Sequence, residues 1–366
     1  MLFIGSFTEL RKEETHMKLT KTAEMVRNKV AAEELDSCAI LVYKNGDEVA
    51  VLTDNVNMDT YFDVASMGKI LVTSTLILKA VDKQQLSLDN TLGDFFDYAP
   101  ADKKNITIKQ LLTHTSGILR YPILPEEVEK GHDAIAKGIM AHPLAFEPGT
   151  MRTYSCNGML LLGYILEKIY GKDLEVVFEE MLKPALGYTR SRFNIEKNEP
   201  NAAICYRSEN VDALAHPWDD ENIRILQTSA GSGGQFFTPG DIKRFANAVI
   251  HKSSALYSEA MFDLVEQNYV DEPNDGQGLG WFYVDEKFYQ RGKLFPVGSF
   301  GHTGYTGQSM FFNRKLDMYV VMLTNATRFS SKKRGFCGPD YENDTCRIRT
   351  ELHNAIFEDL KASKLL

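Results

Sequence analysis

Ser66-Met67-Gly68-Lys69-Ile70-Leu71-Val72-Thr73-Ser74-Thr75-Leu76-Ile77-Leu78-Lys79-Ala80-Val81-Asp82 is the stretch on which the fold turns. Its composition is that of a strand, rich in Ile, Leu and Val, but it is too long for one. Length therefore predicts a helix, apolar nearly all round and so buried at the centre of the molecule. If Ser66 opens that helix, Ser66 and Lys69 lie on one face, one turn apart, and the amine can reach the hydroxyl. A lysine inside apolar surroundings loses hydration, its pKa falls, and the neutral amine can take the serine proton. A helix start also offers unpaired N–H groups to a developing oxyanion. By itself the spacing reads more readily as a capping serine and a surface lysine, and Ser330-Ser331-Lys332-Lys333 repeats it in a basic turn.

Working outward, Lys21 through Met25, Val26, Val30, Ala31 and Leu35 recur at helical spacing and predict an amphipathic first helix over 21–35. Ala39–Tyr43 and Val49–Leu52 flank Asn45-Gly46, a dipeptide that tolerates positive φ, and predict a β-hairpin. Helical candidates follow at 107–113 and 158–170, separated by loops such as Glu147-Pro148-Gly149 and Ser232-Gly233-Gly234. Strand character returns at Gly280–Val284, Ser309–Asn313 and Met318–Leu323, the last apolar at every position as for a strand covered on both faces. Arg347–Leu360 carries Ile348, Leu352, Ile356, Phe357 and Leu360 on one stripe and predicts a closing helix. The expected fold is α/β: an antiparallel sheet built from both termini and flanked by helices, with a mainly helical subdomain inserted. We expect a loose extension over 1–20 and one catalytic domain over 21–360, its α/β part at about 21–85 and 240–360 and its helical part at about 86–239. The groove between the two parts is the expected site.

Composition narrows the function. Among 366 residues, 41 basic against 50 acidic side chains leave a net charge of -9, which argues against a nucleic-acid binder. With 43% hydrophobic residues the chain can bury a large core. Cysteines at 38, 156, 205, 337 and 346 are odd in number and scattered, so reduced, mostly buried thiols are expected, although Cys337 and Cys346 are near enough in sequence to bridge. Neither shows zinc-ligand spacing, and no metal or other cofactor is expected. Leu2–Ile4 is too short for a signal core and is followed by Glu9, Arg11, Lys12 and Glu13, and no run approaches the roughly 18 apolar residues of a membrane span. A cytoplasmic protein acting on a small molecule is the expectation, with Met17 an alternative start and a homo-oligomer an open possibility.

Two further clusters could carry chemistry. Tyr154-Ser155-Cys156 precedes the apolar helix beginning near Gly158, so Tyr154 could point into the groove as a second proton carrier, or be an ordinary core tyrosine. His302-Thr303-Gly304 stands at the start of an edge-strand pair, where free backbone groups could bind an extended or acyl ligand. The glycine runs Gly231–Gly234 and Gly301–Gly307 lack the lysine that a phosphate loop places after its last glycine.

Taken in order, Ser66-x-x-Lys69, Tyr154 and His302-Thr303-Gly304 resemble the three motifs of the serine β-lactamase and penicillin-binding-protein superfamily, in its class C branch. That branch includes D-Ala-D-Ala carboxypeptidases, D-aminopeptidases and family VIII esterases. The phrases Thr113-His114-Thr115-Ser116-Gly117, Phe146-Glu147-Pro148-Gly149-Thr150, Phe237-Thr238-Pro239-Gly240-Asp241 and Gly301–Gly307 are similar to its recurrent segments. The resemblance covers roughly 36–360. It implies a β-lactamase/transpeptidase-like fold and an acyl-enzyme on Ser66, with Lys69 and Tyr154 moving the proton and no cofactor. It further implies an oxyanion hole from the backbone N–H groups of Ser66 and Tyr305, with His302 and Thr303 orienting the substrate or supporting Tyr154.

The second motif in that branch is usually Tyr-x-Asn, whereas here Cys156 holds the asparagine position and Asn157 follows one residue late. A helix there turns the Asn157 side chain about 100° away. Losing that amide leans the expectation toward an esterase or small acyl substrates and away from β-lactams and D-amino-acid peptides. Cys156 as a nucleophile has no evident base beside it. Arg347 stands where relatives place a group that can meet a substrate carboxylate, or is simply a solvent-facing arginine. Acyl transfer to another acceptor and a non-catalytic scaffolding module are the remaining alternatives. Segment 117–149, with Arg120, Tyr121, Glu126, Glu127 and Glu129, is expected to cover the groove.

Overall fold

The computed structural model describes residues 18–119, 121, 123–193, 195–196, 199–203, 230–270, 276–293, 295–328 and 344–366. The hairpin forms where Asn45-Gly46 allows it. Strands β1 (Cys38–Lys44) and β2 (Asp47–Asp54) pair antiparallel around Asn45 at φ 54° and Gly46 at φ 92°. Further along lie β3 (Phe62–Asp63), β4 (Arg192–Phe193), β5 (Gln235–Phe237), β6 (Phe282–Tyr283), β7 (Phe300–Thr303), β8 (Ser309–Asn313) and β9 (Met318–Thr324). Among the described residues the main sheet has six strands in the order β2-β1-β9-β8-β7-β6, every pair antiparallel, so the paired neighbours β1 and β9 come from opposite ends of the sequence.

Burial on both faces explains the apolar run in β9. Tyr319, Val321 and Leu323 enter the larger core with Leu41 and Tyr43. Met318, Val320 and Met322 enter a second core with Ile40, Val42, Val26, Ile348, Leu352 and Ile356. The second core is closed by helices Thr20–Ala31 and Asp344–Ala362, the two elements predicted from the termini. The larger core is shared with helix Pro239–Ile250 and with helices of the middle of the chain, including Ile108–Leu112, His132–Ala141 and Cys156–Tyr170.

The helix at the head of the sequence reading is present and is buried without interruption from Met67 to Ala80. It does not start as expected. Ala65–Met67 is a 3₁₀ turn, Lys69–Thr73 is π-helical, and only Ser74–Asp82 is α-helical, so Ser66 precedes the α-helix proper. A three-stranded sheet in the order β3-β5-β4 also went unpredicted, because its strands are two or three residues long and carry no measurable period.

Cys38 and Cys156 are buried free thiols as expected. Cys346 corrects that expectation: it is disulfide-bonded, and its partner lies outside the described residues, as do Cys205 and Cys337. Residues 1–17, Arg120 and Ser330–Lys333 also lie outside the described residues. Among the described residues no helix is long and apolar enough to cross a membrane.

Candidate active site

Ser66 sits on a bend stabilised from several sides. Ala65, immediately before it, takes φ 44°, a conformation that costs an L-residue about 1–3 kcal/mol. The Ala65 N–H donates to Asp63 Oδ1 at 2.8 Å and the Met67 N–H to the Val64 carbonyl at 3.0 Å, which together hold the bend. Asp63 and Val64 are in turn clamped to the turn after β7. Thr306 Oγ1 and Gln308 Nε2 both donate to the Asp63 carbonyl, at 3.0 and 2.7 Å. Gly304 lies so close to Val64 that a Cβ there would stand 2.7 Å from its carbonyl oxygen. The serine loop and the His302-Thr303-Gly304 segment, far apart in sequence, are thus one rigid unit.

Lys69 is fully buried, and its Nζ donates to Ser66 Oγ at 2.9 Å and to the Ser232 carbonyl at 2.6 Å. Ser232 belongs to the glycine run 231–234, whose role the structure supplies. A Cβ on Gly231 would stand 2.2 Å from the Met159 carbonyl oxygen, and a Cβ on Gly68 would overlap Gln235 Oε1. Those two glycines let the Lys69 helix, helix Cys156–Tyr170 and the strand at Gln235 approach closely enough for a backbone carbonyl to reach the lysine.

Tyr154 completes the cluster, with Lys69 Nζ 5.2 Å from its ring centroid. The residue is half-buried, and its hydroxyl oxygen is shielded from water. Burial raises its pKa, while the Lys69 charge and the nearby Ser66 hydroxyl pull it back down. Two buried histidines flank it: His114, ring centroids 4.6 Å apart, and His302, 6.2 Å. The His114 Nδ1 accepts from the Ser155 N–H at 3.3 Å, and the His302 Nδ1 lies 2.7 Å from the Thr303 carbonyl, to which it can only donate. Burial first, and the positive charges nearby second, keep both rings neutral; His302 is pushed down to about 3, and His114 falls well below the ordinary histidine range.

Strand β7 places the third segment. His302 and Thr303 are buried and pair with Met310 and Ser309 of β8 on one side. On the other side β6 pairs only with Phe300 and Gly301, so the edge beside His302 and Thr303 has no strand on it among the described residues. Gly304 is buried, and Tyr305, on the turn, is 38% exposed. Cys156 is the first residue of helix Cys156–Tyr170, capped by Ser155 Oγ, which accepts from the Gly158 N–H at 3.2 Å. Asn157, one position on, directs its amide to the Tyr121 carbonyl at 3.4 Å and leaves Oδ1 without a partner among the described residues. Arg347 is pulled away from the cluster by Glu34, at 3.0 Å, and Glu351, at 3.3 Å. A concavity of about 450 Å³ along the first helix, lined in part by Lys21, Met25 and Lys29, shares no residue with this site.

Sequence reasoning thus names the side chains that meet here but misses three of their supports: the Ser232 carbonyl, His114 as a ring against Tyr154, and Arg349 behind Gly304. Only His114 carried a signal, within Thr113–Gly117.

Against known proteins, the family model described as Beta-lactamase matches residues 22–335. The D-alanyl-D-alanine-carboxypeptidase/endopeptidase AmpH of Escherichia coli (strain K12) is 26% identical over 304 residues, covering 76% of this chain and 75% of that protein. Among solved structures, the octameric penicillin-binding protein homologue from Pyrococcus abyssi superposes with a TM-score of 0.68 at 22% identity, over 90% of this chain and 76% of that one. EstCE1, described as a hydrolase with promiscuous acyltransferase activity, superposes with a TM-score of 0.70 at 19% identity, over 90% and 97%. These two likenesses bear on the fold, and they agree with the antiparallel sheet and helical insertion seen here. The match over 22–335 establishes that this chain belongs to the β-lactamase family, a family of serine hydrolases.

Proposed function

We propose that this protein cleaves an ester or amide through a covalent acyl-enzyme on Ser66, with small acyl esters the preferred class. The observation that carries the reading is the 2.9 Å contact between the buried Lys69 Nζ and Ser66 Oγ, with the Tyr154 ring alongside. In this reading Ser66 Oγ bonds to the substrate carbonyl carbon, and its proton passes to Lys69 as the neutral amine. The carbonyl π pair moves onto oxygen, where the N–H groups of Ser66 and Tyr305 receive it. The tetrahedral centre collapses, the bond to the leaving group breaks, and Tyr154 relays a proton to that group from Lys69. Water, or an alcohol or amine, then attacks the acyl carbon while Lys69 and Tyr154 take its proton; the bond from the acyl carbon to Ser66 Oγ breaks, the proton passes back to Ser66, and the acyl product leaves. His302, held neutral, and Thr303 line the substrate side along the uncovered edge of β7.

The ester preference rests on Cys156 in the second motif and on the Asn157 amide being engaged with Tyr121. A second reading, a D-amino-acid peptidase, is supported by the activity for which the Escherichia coli relative is named and by the spare acceptor of Asn157 Oδ1 among the described residues. Assaying p-nitrophenyl acetate, a chromogenic cephalosporin and a D-Ala-D-Ala peptide with wild type and Ser66→Ala separates them. Turnover of the ester alone, lost in Ser66→Ala, is expected. Activity that survives Ser66→Ala would refute the acyl-enzyme, and peptide turnover exceeding ester turnover would favour the second reading.

A further inference from the structure

Arg349 is 1% exposed and lies in the second turn of the closing helix. Its Nη2 donates to the Gly304 carbonyl at 2.6 Å, and its Nη1 donates to Gln290 Oε1 and lies 3.8 Å from Cys346 Sγ. The Gly304 carbonyl therefore accepts from a guanidinium as well as from the Gly307 N–H, at 3.1 Å. The peptide unit whose carbonyl is gripped in this way is the one whose N–H belongs to Tyr305.

We infer that Arg349 is a positioning residue for the oxyanion hole: its guanidinium holds and polarises the Gly304–Tyr305 peptide so that the Tyr305 N–H donates more strongly to the developing alkoxide. The inference rests on the Ser66 acyl-enzyme reading and deepens it. Three physical steps support it. Withdrawing electron density at an amide oxygen makes the N–H of that amide a better donor, and a charged partner does so more than a neutral one. A full positive charge behind the peptide, away from water, also adds favourable potential at the oxyanion position. That charge reaches the site, since Arg349 is among the groups that hold His302 neutral, after burial, Lys69 and Arg152. The peptide cannot drift to escape the pull, because Gly304 N–H donates to the Gln308 carbonyl at 2.8 Å and Thr306 and Gln308 are tied to Asp63.

The test compares wild type, Arg349→Met and Arg349→Lys on p-nitrophenyl acetate and on the matching thionoester. Sulfur accepts hydrogen bonds weakly, so the thionoester depends less on the donor strength of the hole. Arg349→Met is expected to lower kcat for the ester about tenfold or more, with KM changed less than about twofold, and to shrink the ester-to-thionoester rate ratio. Arg349→Lys keeps the charge and is expected to restore part of both, and it serves alone if the methionine variant does not fold. An unchanged ratio, with both rates falling together or neither falling, would overturn the inference. If wild type turns the ester over and Ser66→Ala does not, that outcome removes the role of Arg349 and leaves the acyl-enzyme standing.

Discussion

Lys69 and Lys79 lie at the two ends of one buried helical run, and the groups around them differ. Both are almost wholly removed from water, and both donate hydrogen bonds to backbone carbonyls: Lys69 to Ser232 at 2.6 Å, Lys79 to Ala255 at 2.5 Å and Leu256 at 3.0 Å. Burial lowers the pKa of Lys79, with Lys83 adding to it. Lys69 alone has a hydroxyl within reach, held on a strained bend and flanked by a tyrosine and two neutral histidines. A buried amine is therefore not in itself a chemical device. What distinguishes the mouth of the helix from its far end is the set of groups clamped around the amine.

The difference is broken most sharply by removing the amine at the mouth. Lys69→Ala should lower kcat/KM for an ester about 10³-fold and Tyr154→Phe about 10²-fold, since each removes a positioned proton carrier. Steady-state rates on folded, circular-dichroism-checked variants decide this, and near-normal turnover in both would dismiss the assigned roles.

Acid should next distinguish the mouth from the rest. His114 and His302, and also His353 under β8, are held neutral by burial in the folded state, the last two with values pushed down to about 3. In the unfolded chain they titrate near 6.5, so the unfolded state binds more protons between about pH 6.5 and pH 3. Stability is fully present above that window and declines as the pH falls through it. The urea midpoint should drop by about 1 M from pH 7 to pH 5. A midpoint that stayed level would mean that these rings are charged in the fold. His132 has the opposite sign: Glu167 at 2.6 Å raises its pKa, so its contribution is present at low pH and lost as pH rises through the folded value.

At the far end of the helix, Lys79→Met should cost about 1–3 kcal/mol by leaving the Ala255 and Leu256 carbonyls unpaired, yet leave turnover per folded molecule within about twofold. Thermal unfolding and active-site titration together read that split, and a tenfold activity loss at unchanged stability would erase the contrast between the two lysines. The smallest expected change is at the second motif. Cys156→Asn should raise the rate on acylamino substrates relative to simple esters about threefold to tenfold, on the scale of one added hydrogen bond. A constant ratio would place Cys156 outside the acyl-binding position.

Much of this was legible in the sequence because it depends on period and turn chemistry. The hairpin at Asn45-Gly46, the two-faced β9 and the stripe of the closing helix all follow from local pattern. The candidate site residues Ser66, Lys69, Tyr154 and His302-Thr303-Gly304 could be singled out because their motifs are short and contiguous. What could not be read is contact across the chain. The Ser232 carbonyl that receives Lys69 lies 163 residues away, and Arg349 reaches Gly304 across 45. Neither leaves a local trace. The 3₁₀ and π turns around Ser66 were missed for a related reason: they arise from the strained Ala65 bend and the packing of Gly68 against Gln235.

The central claim is that Lys69 activates Ser66, and it is tested most directly by the rate at which a fluorophosphonate modifies the protein, with the site located by mass spectrometry. The account predicts a single adduct on Ser66 in wild type, absent in Ser66→Ala and formed at least about 10²-fold more slowly in Lys69→Ala. An adduct on any other residue, or equal rates with and without the Lys69 amine, would contradict it.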